Sequence, residues 1–71
     1  METHQVRVIN ERLELKTKIN ALDKFIGAPI NHETFIALPI EEQVLLKLQL
    51  RYMLIYLSVL QERITRWEEG H

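Results

Sequence analysis

Cysteine is absent from this chain, which excludes a disulfide framework and any thiolate metal site. Glycine and proline occur only twice each, so there are few places where a regular element must stop. Neither sign of charge dominates: nine Lys and Arg against ten Asp and Glu leave a net charge of -1, without the broad basic field on which duplex DNA binding relies. DNA is therefore not an expected partner. The most apolar stretch, Tyr52 to Leu60, is far shorter than the roughly 20 residues of a bilayer span, and Lys47, Gln49 and Arg51 interrupt it upstream. No membrane span is expected. The first residues, Met-Glu-Thr-His-Gln, lack the basic, apolar and small-residue regions of a secretory signal, so the expected location is intracellular.

What the 71 residues do contain is helical periodicity. From about residue 3 to 26 there is no Gly or Pro, and Val8, Leu15, Ile19, Leu22 and Ile26 follow one another at helical spacing, with Phe25 extending their face. Val6, Ile9 and Leu13 fall on roughly the opposite side, giving the first half of this helix two apolar faces. Gly27, Ala28 and Pro29 end it, with Gly27 suited to a left-handed C-terminal position. Asn31 is a candidate N-cap for a short helix over about 32–37, whose Phe35 and Ile36, with Leu38, can plug the end of a hairpin. Pro39 fits the first position of a last helix over about 40–68, with Glu41 and Glu42 in its first turn.

Stepped around a wheel, that last helix carries apolar side chains over most of its circumference, and only Gln43, Lys47, Arg51, Ser58, Gln61 and Thr65 form a polar stripe. The expected fold is all-α: a single domain over residues 1–71, built as an antiparallel two-helix hairpin with a short connecting helical turn. One partner helix cannot surround such a helix, and a core this small is marginal against chain entropy. A homo-oligomeric helical bundle, a dimer or higher, is expected, with Leu45, Tyr52, Tyr56 and Leu60 facing other subunits. A charge at Leu60 is then expected to abolish assembly.

Catalytic signals are missing. His4, His32 and His71 are scattered and form no helical ligand pair, so no metal and no cofactor are expected. No histidine stands at a spacing that activates a hydroxyl, and adjacent acids such as Glu41 and Glu42 point apart on a helix. An enzyme is not expected. The line Gln49, Tyr52, Tyr56, Arg63 and Trp67 instead shares one face of the last helix. Aromatic rings stack on nucleobases, arginine forks suit phosphate, and an amide reads a base edge. The same rings also suit an interface with their polar tips at its rim. Antiparallel packing brings Arg7, Asn10 and Glu11 near Tyr56 and Arg63, with Lys18 further along the edge, as a polar mouth beside an apolar seam.

These residues carry a resemblance. Arg7-Val8, Glu11, Leu15, Lys18, Ile19, Leu22 and Phe25-Ile26, then Phe35 and Leu38-Pro39, then Gln49-Leu50, Met53, Tyr56, Leu60 and Arg63-Ile64 resemble a group of very short phage helical proteins named after a crAss-like phage protein. The likeness spans about residues 6 to 64. By analogy with phage immune-evasion sponges, the resemblance implies an oligomer that sequesters a cyclic nucleotide defence signal without hydrolysing it, in the cytoplasm of an infected bacterial host. The ligand is then a cyclic oligonucleotide or a cyclic ADP-ribose isomer. The positions carried over as ligand contacts are Arg7, Tyr56 and Arg63. Tyr52 would support stacking, Lys18 phosphate binding, and Asn10 and Gln49 base-edge hydrogen bonds. The stretch Ala28 to His32 is longer than the family pattern, and Tyr52 and Leu54 are bulkier than it suggests. The alternative is a small helical protein-interaction or adaptor module of a phage, with no small-molecule ligand.

Overall fold

In the computed structural model, residues 3–69 are described; Met1, Glu2, Gly70 and His71, the last being one of the three histidines of the sequence reading, lie outside them. Three α-helices and one 3-10 turn follow in order: α1 (Thr3–Gly27), the turn Pro29–Asn31, α2 (His32–Ile36) and α3 (Ile40–Glu69). No strand occurs among the described residues, so the protein is all-α.

Elongation governs everything else about this fold. The principal extents are 50 × 19 × 17 Å and the radius of gyration is 15.7 Å. A globular chain of this length has a radius of roughly 11 Å. The molecule is one layer of helix against helix, and its core is a seam. Val8, Leu15 and Ile19 of α1 meet Leu60 and Ile64 of α3, with Ile9, Leu50, Met53, Leu57 and Trp67 packed around them. His4 lies against Trp67 and Glu11 against Tyr56, so the start of α1 sits beside the end of α3.

Leu60 corrects the sequence reading. Expected at a subunit contact, it has 0% exposure within the protomer and is the centre of the seam. The wheel shows that an arc is apolar, not which arc the neighbouring helix covers. A charge at Leu60 therefore strikes folding before it strikes assembly.

The far end is closed by a second cluster. Phe35 of α2 is buried, meets Phe25 of α1 edge to face at 6.0 Å, and takes the Lys47 ammonium over its ring at 5.8 Å. Ile36, expected in this plug, is instead 52% exposed, because Phe35 alone of the two turns toward α1. Gln43 secures the connection to α3: its side-chain amide donates to the Leu38 carbonyl at 2.8 Å and to the Ile36 carbonyl at 3.2 Å. Pro39 stands one residue before α3 and accepts from the Gln43 backbone N–H at 3.1 Å, which is the N-cap role rather than the first helical position.

Two details of the turn differ from expectation. No glycine among the described residues has a positive φ, so Gly27 is not a left-handed cap. The chain leaves α1 one residue later, through extended Ala28 (φ -76, ψ 134), the conformation favoured ahead of a proline. Asn31 occupies the position before α2 but makes no side-chain cap there; its amide reaches back and donates to the Lys24 carbonyl at 3.1 Å. The Ala28 N–H donates to the same carbonyl at 2.9 Å. Asn31 thus ends α1 rather than starting α2.

Two stability outcomes follow from this packing. Leu60→Ala is expected to cost about 2–5 kcal/mol in urea unfolding, since it opens a cavity at the most enclosed position. Gly27→Ala is expected to add about 0.5–1 kcal/mol, because the residue is helical and a Cβ there meets nothing within 4 Å. Loss of stability in that variant would contradict the helical assignment of Gly27.

Candidate functional site

Stepping at 100° per residue sets Arg7, Glu11 and Lys18 along one edge of α1, and Gln49, Tyr52, Tyr56 and Arg63 along the facing edge of α3. The edge is locked at two points. The Tyr56 hydroxyl donates to a carboxylate oxygen of Glu11. One turn and more beyond, Arg63 Nη2 donates to His4 Nε2 at 3.2 Å. A guanidinium has no acceptor, so His4 accepts through Nε2 and carries its proton on Nδ1 in this arrangement. The Arg63 guanidinium also lies 5.9 Å from the centre of the Trp67 ring, and His4 meets that ring at 5.8 Å with an interplanar angle of 63°. Arg63 is thereby held between an aromatic face and an imidazole.

The other expected residues are less engaged. Arg7, Asn10 and Lys18 are exposed, and their side chains make no hydrogen bond or ion pair with another described residue. The Gln49 amide has only a weak contact to the Met53 sulfur at 4.0 Å. Tyr52 is 63% exposed, with its ring to solvent, while Tyr56 is 43% exposed because Glu11 draws it toward α1. The protomer thus joins Tyr56 to Glu11 and Arg63 to His4, and leaves Arg7, Asn10, Lys18 and Tyr52 pointing to solvent.

Sequence reasoning set His4 aside as a scattered histidine, yet it partners Arg63. No local signal marks this, because the two are brought together only by antiparallel packing. Arg12 was also passed over. Its Nε is buried with no hydrogen-bond partner, and its place four residues after Val8 and three before Leu15, on the seam itself, was the available clue.

Two open depressions lie on α3. One, of about 420 Å³, runs between Lys47 and Ser58, and the other, of about 460 Å³, between Ile55 and Arg66. All their walls belong to a single helix, so neither is enclosed, and of the expected ligand residues only Arg63 borders either. No group of three or more metal-ligating side chains occurs among the described residues. By length and mean hydropathy (1.3 over its most apolar window) α3 is long and apolar enough to cross a membrane, which the length of the uninterrupted run Tyr52 to Leu60 did not reveal. Lys47 and Arg51 lie on its polar stripe.

Fold and edge together define a small all-α protein whose exposed surface offers arginines and aromatic rings and little enclosed volume. The chain belongs to the Sequestin family, whose family model matches residues 2–66. The family name is consistent with the sponge-type resemblance that the sequence carries over about residues 6 to 64. No curated protein and no solved structure matches the chain.

The Glu11 contact raises the Tyr56 pKa above its ordinary value: the hydrogen bond to the carboxylate dominates, desolvation and the Glu11 charge add to it, and Arg63 opposes it. A pKa raised on folding contributes stability that is complete below the unfolded phenol pKa of about 10 and is lost as pH rises through the folded value. Wild-type protein is therefore expected to lose stability in the alkaline range more steeply than Tyr56→Phe, followed by urea unfolding at stepped pH. Parallel profiles would show that the Glu11 bond is not kept in solution.

Proposed function

We propose that this protein sequesters a cyclic nucleotide defence signal without hydrolysing it, as an oligomer of antiparallel helical hairpins in the cytoplasm of a phage-infected bacterium. The observation that carries this reading is the shared edge of Tyr56 and Arg63, in a chain whose family name denotes sequestering. Arg63 supplies a fork for a phosphate, with Arg7 and Lys18 as mobile cations along the same edge. The Tyr56 ring, with Tyr52, supplies a stacking face. Glu11 completes the chemistry: a carboxylate accepts from an exocyclic base amine, and it becomes available when Tyr56 turns to stack. Asn10 and Gln49 offer further base-edge hydrogen bonds.

A depleting protein must bind tightly. A Kd of 10 nM corresponds to about -11 kcal/mol, which a few charge-assisted and stacking contacts supply only when most of the ligand is enclosed. The protomer edge is open, so enclosure calls for a second subunit. The experiment is calorimetry against cyclic di- and trinucleotides and cyclic ADP-ribose isomers. The expected result is binding to at least one of them, with the ligand recovered chemically intact on chromatography. Arg63→Ala should weaken it by roughly tenfold to a hundredfold, the loss of one charge-assisted hydrogen bond. No binding below about 10 μM, near -7 kcal/mol, would overturn the reading.

A second reading is favoured by the exposed apolar residues Val44, Leu48, Ile55 and Val59 of α3, which suit a protein-interaction module. It is distinguished by the arginine. Capture of one stoichiometric protein that tolerates Arg63→Ala and fails with Tyr56→Ala would support the adaptor.

A further inference from the structure

His4 and Arg63 meet at the open end of the hairpin, where the first turn of α1 lies beside the last turns of α3. The contact leaves most of a cation uncommitted. Among the described residues Arg63 forms no ion pair, and its one hydrogen bond, 3.2 Å to Nε2 of His4, goes to a neutral acceptor. Trp67 backs both groups, its ring centre 5.9 Å from the guanidinium carbon and 5.8 Å from the centre of the imidazole. His4 is exposed and Arg63 half-buried.

This bond exists in one protonation state only. An imidazolium carries a hydrogen on both ring nitrogens and has no acceptor to offer a guanidinium. When His4 takes up a proton, two cations stand where a donor and an acceptor stood, and an anionic oxygen between them is what satisfies both. The neighbouring carboxylates are engaged elsewhere. On α1, Glu11 holds the Tyr56 hydroxyl, and Arg7 adds a further cation three residues after His4. On α3, Glu62 is paired with Arg66, while Glu68 and Glu69 fall on other sides of the helix. The short helix α2 packs at the opposite end, where Phe35 meets Phe25.

We infer that His4 and Arg63 form a two-point clamp for a phosphate oxyanion, completed when the imidazole takes up a proton, so that ligand binding and proton uptake are coupled. Oxygens of one phosphate accept from Arg63 Nη2 and from His4 Nε2, replacing the bond between the two side chains. Trp67, whose ring attracts cations, stays beside them. Neutral His4 closes the empty site, and protonated His4 opens it to an anion. A phosphodiester keeps its charge throughout the neutral range, so the pH dependence belongs to the protein. Because the bound state holds the additional proton, affinity rises as pH falls, by up to about tenfold per unit between about pH 8 and pH 6, where imidazole changes charge. The inference rests on Arg63 as a phosphate contact in the reading above and adds how that contact is regulated.

The test uses the full chain and sulfate, a probe that involves no nucleotide and does not titrate in this range. Ring nitrogen chemical shifts of the histidines report tautomer and protonation, and are followed near pH 7 as sulfate replaces chloride at constant ionic strength. The expected result is that His4 passes from the Nδ1–H tautomer to the imidazolium while His32, at the far end of the hairpin, does not change. Arg63→Gln should abolish that response. In a second arm, calorimetry of any cyclic nucleotide that binds is repeated in buffers of different ionisation enthalpy. Wild type should take up about one proton, and His4→Gln, which keeps a neutral acceptor for Arg63 and cannot take a proton, should take up none. Sulfate that leaves His4 neutral, or shifts His4 and His32 alike, would overturn the clamp, and so would proton uptake that survives in His4→Gln. A sulfate response confined to His4, with no cyclic nucleotide bound, supports the clamp and sinks only the choice of ligand.

Discussion

A thirty-residue helix with apolar side chains around most of its circumference presents more surface than one neighbour can cover, and α3 has one long neighbour. α1 covers the arc of Leu60, Ile64, Met53 and Leu57 through Val8, Leu15 and Ile19. That contact sets the position of everything else. It brings Glu11 to Tyr56 and His4 to Arg63, and it leaves Val44, Leu48, Ile55 and Val59 outside. At roughly 25 cal/mol per Å², uncovered apolar area is the principal reserve of stability that a chain of this size retains.

The short connection keeps the seam in register. Phe35, wedged between Phe25 and the Lys47 ammonium, fixes the separation of the long helices at one end, while Gln43 and Asn31 satisfy carbonyls at the two breaks. The polar work of this fold is concentrated at its turn and along one edge. Between them the seam is apolar, apart from Arg12, whose Nε is buried without a partner.

Much of this was legible in the residues. The helix limits are written by Gly27, Pro29 and Pro39, and the α1 seam by the spacing of Val8, Leu15 and Ile19, because local chemistry decides both. Leu60 and Ile55 show what was not legible. Both belong to apolar arcs of α3, and only the docking of α1 decides that one becomes core and the other surface. His4 was invisible for a related reason: its partner is 59 residues away, and neither residue has a local signature of the contact. Gly27 and Asn31 were read by their most frequent roles, and the proline after Ala28 redirected both. Tyr56 and Arg63 were placed on one edge by periodicity alone, whereas the depressions on α3 follow side-chain shape that no wheel contains.

Because α3 is unbroken from Ile40 to Glu69, its core arc, its edge and its outer arc are phased by a single helical register. Inserting one residue near Arg51 would turn everything downstream by about 100° and move Leu60 and Ile64 off the seam, together with Tyr56 and Arg63 off the edge. Seven inserted residues would displace the phase by only about 20°. Length variation within α3 should therefore be tolerated in multiples of a heptad, with α1 extended to match, and rejected otherwise. The helix is a ruler as well as a wall.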